Sequence, residues 1–484
     1  MILHMNKISI VFFLICFSLS VSAQQLSQYN TGTLYDSFEN PSQRSFIPDS
    51  SRQYAFNFFI PNFDANIFIK GNIQQSVQRR LLSKSPSYSS DLLTVGLGKV
   101  NHINANVNAY AIMFKTYTSL NGDVEMGFSY QTRLEARGLV TDETFALLSG
   151  DNAKYFPNVS YDNIFNNNFQ LQSYNQVGYS YRERINKQFA FGFKLNALLG
   201  IKYSKFDIRG SNINIEPPQD KANLALQGRY YSSYIPGQAS SRDYLPTFRN
   251  PGAGISLGTS IVTQDKITIQ ANIKDLGFIR WSSRSIISDF NSSDSLRNIS
   301  GIHREDTIYN RTIKILRSGA KVGAFVTKTN AKAELSASKT YWIDYDSNIK
   351  YSPTLIGSKE LFYSGFTAAL VNHLQYQDYT GTISFSYDDL KMFNIGAQFL
   401  YKNPNVEYFI GSERLLNTGR LTLAALGLQS QIDHYGSYSG ADIYLGFSLK
   451  FGAIIDHPMN ASYIPMGEKG FFGRLFGRLF KTNR

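Results

Sequence analysis

The sequence predicts an all-β chain: a transmembrane antiparallel β-barrel of roughly 14 strands with long extracellular loops. Three observations carry this expectation. The N-terminus reads as an export signal, no later apolar run reaches the about 20 residues needed to cross a bilayer as a helix, and apolar and polar side chains alternate over long stretches. Composition agrees. The 31 Tyr, 36 Phe and 36 Gly suit strands and tight turns. A mean hydropathy of -0.23 fits a barrel, which shows lipid only every second side chain.

Lys7 supplies the positive start of the signal, residues 8–19 its apolar stretch, and Val21-Ser22-Ala23 a small-residue cleavage site. Residues 1–23 are therefore expected to be removed, leaving Gln24 first. Cys16, the sole cysteine, lies within the apolar stretch. Ile15 precedes it where a lipoprotein signal needs a small residue, so lipid attachment is not expected. The mature chain then offers no thiol for disulfides or metal. Residues 24–52 are polar and lack strand alternation.

The expected barrel spans 53–452. Its clearest strand sets Ile103, Ala105, Val107, Ala109, Ala111 and Met113 against Asn104, Asn106, Asn108, Tyr110 and Ile112. A turn at Asn121-Gly122 leads to the next strand, where Val124, Met126, Phe128, Tyr130 and Thr132 oppose Glu125, Gly127, Ser129, Gln131 and Arg133. Residues 189–200, 267–274 and 443–451 repeat the pattern. Turns at 186–188, 263–266 and 402–405 join neighbours. Three stretches interrupt it: 135–169, with a short helix expected after Thr141; 213–251, with Pro217, Pro218, Pro236, Pro246 and Pro251; and 282–313, rich in Ser, Asp and Arg. Such loops belong at the extracellular end, where they carry recognition or shield the barrel.

Three segments carry a resemblance when taken together: Glu39-Asn40-Pro41; residues 272–281, including Asp275, Leu276, Gly277, Phe278, Arg280 and Trp281; and Gly446 to Gly452. The chain resembles a family of uncharacterised outer-membrane barrels of Bacteroidota, similar in turn to FadL-type hydrophobic-compound transporters. The resemblance implies an outer-membrane address and a segment at 24–52 that is periplasmic or enters the lumen as a plug. It transfers no catalytic residue. By resemblance to outer-membrane barrels generally, Phe447, Leu449 and Phe451 suit the aromatic ending read by barrel-assembly machinery; lipid-facing aromatics are the alternative.

Residues 453–484 read as a basic tail in the periplasm. Gly-Arg-Leu-Phe occurs twice in succession, so on a short helix Phe472, Leu475, Phe476, Leu479 and Phe480 share one face while Arg474, Arg478 and Lys481 take another. Such a segment docks on lipid or a periplasmic partner; a frayed tail is the alternative. Gly473 and Gly477 each weaken the helix by about 1 kcal/mol relative to Ala, which favours its forming on contact.

No Gly-x-Ser-x-Gly elbow or His-Glu-x-x-His motif occurs. His102, near Asn101 and Asn104, is the one position similar to a barrel-lipase histidine; a water-facing strand end is the alternative. No catalytic residue, cofactor or metal is expected. The charge of +12 suits outer-membrane lipid, lipopolysaccharide phosphates or an acidic protein, and at this address nucleic acid is not a partner. Two functions remain open. One is a plugged FadL-like barrel for uptake or binding of a small, in that comparison hydrophobic, compound. The other is a non-transporting scaffold or accessory subunit of an outer-membrane secretion or assembly complex, recruiting through the tail or long loops.

Overall fold

A computed structural model describes residues 25–47, 49–82, 93–118, 123–234, 247–301, 303–346, 348–426 and 438–454. Fourteen strands close into an antiparallel barrel. They are β1 (Arg52–Phe56, resumed at Asn62–Lys70), β2 (Val100–Thr118), β3 (Val124–Thr141), β4 (Asn168–Arg184), β5 (Phe189–Glu216), β6 (Pro251–Val262) and β7 (Ile267–Trp281). Then follow β8 (Phe325–Lys328, resumed at Lys332–Lys339), β9 (Ile349–Glu360), β10 (Phe366–Tyr376), β11 (Tyr379–Asp388), β12 (Phe393–Lys402), β13 (Val406–Ser412) and β14 (Ser439–Ile454). Each pairs with its sequence neighbours, and β14 closes on β1 with Phe63 opposite Leu445. Closure leaves no unpaired edge, the condition for crossing lipid with strands.

Side-chain alternation explains why these segments pair this way round. On β11, Thr380, Thr382, Ser384 and Ser386 are buried inside while Ile383, Phe385 and Tyr387 are exposed outside. Leu195, Ile269, Phe278, Leu335, Leu355, Leu370, Phe399 and Ile443 extend that apolar outer band around the wall, the face a barrel turns to acyl chains. Tyr341, Trp342, Tyr376, Tyr379 and Tyr408 gather beside the short turns at one end, and Phe366, Tyr387 and Phe393 at the other. The long connections all lie at the second end. Among the described residues no helix is long and apolar enough to span.

Two bulges shift the expected faces. β2 gains a residue between Tyr110 and Ile112 against β3, so Met113 turns inward and is fully buried, whereas alternation alone sets it on the outer face with Ile103. An extra residue reverses every side chain beyond it. β7 is bulged between Ile273 and Leu276, where Asp275 takes a left-handed backbone (φ 51°). Lys274 and Asp275 thus both reach the interior, and Leu276 and Phe278 face out.

The three expected loop stretches hold more regular structure than their composition suggests. β3 continues to Thr141, followed by a helix at Asp142–Ser149. β5 runs for 28 residues, about 90 Å at roughly 3.3 Å per residue, far beyond a hydrocarbon core of about 30 Å. Its outer half pairs with Lys221–Ser232, which pairs with Ile286–Arg297, and the helix Arg304–Leu316 packs over this sheet. Ile213, Ile215, Leu224, Leu226, Phe290, Leu296 and Leu316 form a separate core there. Prolines at 217, 218 and 251 fall at element ends, which is why a proline-rich stretch still contains strands.

Trp281 closes β7 with no exposed surface. Its Nε1 donates to Thr327 Oγ1 at 2.9 Å, and its ring lies 5.6 Å from that of Tyr203. Trp281→Ala should cost about 3–5 kcal/mol, read as a lower urea midpoint for the refolded barrel. An unchanged midpoint would remove Trp281 from the core.

Candidate functional site

The described N-terminal residues enter the lumen. Residues 25–29, 33–38 and 45–46 are buried, and a six-residue helix, α1 (Leu34–Glu39), stands inside the barrel. Thr33 caps it, its Oγ accepting the Asp36 N–H at 3.2 Å. Leu34, Tyr35, Phe38 and Phe46 pack against Tyr110, Met113, Leu400, Phe409 and Tyr444 of the wall. A polar peptide in a narrow lumen must have its backbone groups satisfied by the wall, and the inward positions of the strands supply the partners.

Three carboxylates receive its N–H groups. Glu413 accepts from Ser27 at 2.8 Å and Glu407 from Leu34 at 2.8 Å, the latter at the electropositive start of α1. Glu125 accepts from the Ser45 N–H at 3.1 Å and hydroxyl at 2.9 Å. Cationic donors hold the carbonyls: Lys402 donates to Thr31 O at 2.8 Å, Lys115 to Ser37 O at 3.1 Å, Arg182 to Ser42 O at 2.8 Å and Lys450 to Ser45 O at 2.7 Å. His373 Nε2 lies 3.2 Å from Tyr29 O. The segment thus plugs the lumen by charged groups that stay in place on the wall.

Its centre is an ion network. Glu39 meets Arg133 at 3.1 Å and Lys274 at 3.4 Å, and accepts the Tyr110 hydroxyl at 2.7 Å. Arg133 also binds Asp275 at 2.6 Å, and Lys274 binds Glu334 at 3.0 Å. Burial alone would raise the Glu39 carboxyl, but Arg133, Lys274 and Lys194 outweigh it and hold the group well below the usual carboxylate range. Asn40 donates to Gln270 at 3.0 Å. Beyond it the plug backbone lies directly on two glycines: a Cβ at Gly192 would fall 1.9 Å from Pro41 O, and one at Gly258 would fall 2.9 Å from Ser42 N.

Burial pushes the Asp36 carboxyl up to about 6, against the Gly32 N–H and nearby Lys274 and Lys402. A folded-state value above the unfolded one means that the docked plug holds this proton more tightly. Its stabilising contribution is complete below about pH 4 and lost as pH rises through about 6. Plug docking should therefore weaken between pH 4 and 6, and Asp36→Asn should flatten that profile. Protease sensitivity of the N-terminus across the range checks this.

Two cavities flank the plug. The outer one, 360 Å³, is bounded by Leu26, Phe68, Leu139, Tyr363 and Phe366 together with Arg137, Glu360 and Lys332. Arg137 bridges to Glu360, with a second contact at 2.7 Å, and lies 4.6 Å from the Tyr363 ring centre. The other, 640 Å³, on the side of the short turns, is bounded by Arg44, Arg184, Lys187, Lys350 and Lys402, with Asp378 as a counter-charge.

The sequence-marked residues fall as follows. Glu39 and Asp275, from two resemblance segments, meet through Arg133. Leu276, Phe278 and Arg280 face outward, whereas Trp281 is internal. Phe447, Leu449 and Phe451 lie on the outward face of β14, and Phe451 is 5.6 Å from the Tyr54 ring. His102 lies near the outer end of β2, bounding the outer cavity, with Leu139 and Lys70 opposite it on the two neighbouring strands. The expected signal at 1–23, the expected Asn121-Gly122 turn, and Phe472, Arg474, Leu475, Phe476, Arg478, Leu479, Phe480 and Lys481 of the expected tail lie outside the described residues. Arg133, Glu125, Glu407, Glu413, Lys402 and Lys450 were not distinguished by any motif. Their one readable mark is charge at inward-alternating positions.

The chain is similar in structure to the monoaromatic hydrocarbon channel TodX in a deltaS2S3 mutant (TM-score 0.42, 10% identity, 90% of this chain and 96% of that one). It is also similar to the Pseudomonas putida toluene transporter TodX (TM-score 0.39, 9%, 90% and 96%). A FadL homologue of Pseudomonas aeruginosa gives a TM-score of 0.39 at 12% identity over 90% and 96%. No curated protein matches the chain. With residues 49–413 matching its model, the chain belongs to DUF5723, a family of unknown function.

Proposed function

We propose that this protein is a plugged barrel of the cell outer membrane that binds a small compound above its plug and admits it when the plug shifts. One observation carries this reading: a 360 Å³ cavity lies on the outer side of the plug, a 640 Å³ basic vestibule lies on the other, and α1 with its flanks fills the lumen between them. The outer volume suits a small molecule. Phe68, Leu139 and Tyr363 beside the Arg137–Glu360 pair favour a compound with both apolar surface and a polar group over a bare hydrocarbon.

Liposome swelling and single-channel recording test this. The intact barrel should conduct little, and deletion of residues 24–47 should open it. Arg137→Ala should reduce uptake of a responsive solute without opening the pore. A barrel that stays silent after deletion, and co-purifies stoichiometrically with another envelope protein, would instead support the scaffold. That second reading draws on the outer sheet and helix, whose own core makes a firm recruiting surface. The basic tail is proposed as its other docking element; deleting residues 467–484 should lower lipid or partner association while the barrel stays folded.

A further inference from the structure

On the inner wall of β1 to β3, polar side chains stand in rows. Asp64 is opposite Asn108, and Asn108 opposite Arg133; one step outward, Asp442, Asn66, Asn106 and Glu135 follow across four strands. Directly opposed side chains on one face are neighbours, their Cβ atoms about 5 Å apart. Asp64, Asn106, Asn108 and Glu135 face a small internal chamber between wall and plug, of 40 Å³. This exceeds the about 10–15 Å³ that a single water or ion needs.

The amides in these rows have turned their donors elsewhere. Asn66 gives its NH2 to Asp442 at 2.9 Å, and Asn108 gives its own to Tyr35 Oη and Glu39, each at 3.4 Å. Their carbonyl oxygens, with Asp64 Oδ1, are left as buried acceptors without a protein donor. Asp64, Asn66 and Asn108 are 2%, 4% and 6% exposed, so bulk water does not serve them. Such groups are costly unless something satisfies them. Charge points the same way. Six carboxylates border the chamber (Asp36, Glu39, Asp64, Glu135, Asp275 and Glu334) against three cations, Arg133, Lys274 and Lys332. Arg133 and Lys274 are already committed to Glu39, Asp275 and Glu334.

We propose that this chamber binds a small hard cation, of the sodium, potassium or calcium kind, on Asp64 Oδ1 and the amide oxygen of Asn108, with Asn106 and Glu135 around them. Carboxylate and amide oxygens suit such ions, whereas a transition metal would want nitrogen or sulfur. Among the described residues no three His, Cys, Asp or Glu side chains converge on a metal position, so the proposed site rests on amide oxygens beside one carboxylate. Because Asn108 also contacts Tyr35 and Glu39 of α1, the ion ties the plug to the wall. This inference needs only the docked plug and does not depend on transport.

Unfolding temperature of the full barrel in detergent at pH 8 tests it, with choline chloride replaced at constant ionic strength by lithium, sodium, potassium, magnesium or calcium chloride. One small cation should raise the midpoint in a saturable way by about 1–3 °C, the size of shift a ligand at roughly 10 to 100 times its Kd gives a chain of this length. Asp64→Asn should abolish that dependence whatever it does to the midpoint itself. Lys332→Gln, which removes a competing ammonium, should strengthen it. The same midpoint in choline and every metal chloride, for both wild type and Lys332→Gln, overturns the site. So does a response that Asp64→Asn leaves intact, or stabilisation by acid alone, which would mean that protons are the sole occupants.

Discussion

Arg133→Met is expected to release the plug. Among the described residues Arg133 joins Glu39 of α1 to Asp275 of β7, at 3.1 and 2.6 Å, and its side chain is 11% exposed. Removing one member of a buried ionic network leaves the others charged and under-solvated, at about 3–5 kcal/mol. Glu39 would keep Lys274 and the Tyr110 hydroxyl, but Asp275 would keep only the Gln176 amide at 3.3 Å among its side-chain contacts. Because Glu39 sits on the plug and the rest on the wall, the damage is relieved most easily by withdrawing the plug into water. The readout is modification of a thiol placed at Ser42, a clean probe since the chain's only cysteine, Cys16, lies in the expected signal. Labelling should rise by about 100-fold or more, each 1.4 kcal/mol being about tenfold. Adding Glu39→Gln and Asp275→Asn to Arg133→Met should recover much of the protection. Unchanged labelling in Arg133→Met would show that the network does not hold the plug.

Gly192→Leu should dislodge the plug by a different route. Here no charge changes; a side chain is built where the plug backbone already lies, with Cβ 1.9 Å from Pro41 O and 2.3 Å from its carbonyl carbon. Backbone cannot rotate aside as a side chain can, and β5 is held by β4 and β6 along both edges, so the plug must move. Ser42→Cys labelling and single-channel conductance should both increase, while the barrel keeps its resistance to heat in detergent. Loss of that resistance would mean the strand, not the plug, had yielded. Gly192→Ala should give a smaller change in the same direction.

These two sites differ in how far local pattern reveals them. Alternation at 124–133 is enough to set Glu125, Gln131 and Arg133 on the inward face, because a pleated strand turns every second side chain the same way. It cannot say that Arg133 meets Glu39, 94 residues away in sequence, since that depends on barrel closure and on how deep the plug sits. The bulges at Ala111 and Asp275 were equally hidden. Nothing in the alternation around Met113 signals an extra residue, so the face reversal becomes visible only once β2 is paired with β3. The loop stretches conceal their regular structure for a related reason. Proline and serine content marks where strands end, whereas the outer sheet forms because Ile213, Leu224 and Phe290 bury one another across distant segments.

The residues alone determined an antiparallel barrel, its approximate strand number, its outward apolar band and its amide-rich interior, because each follows from periodicities only a few residues long. Tertiary structure alone decided that the interior is filled by the chain's own N-terminal segment, which wall charges grip it, and where two cavities and an acidic chamber remain. Those features arise from contacts between residues hundreds of positions apart, as between Ser27 and Glu413. Their geometry exists only after the fourteenth strand has met the first.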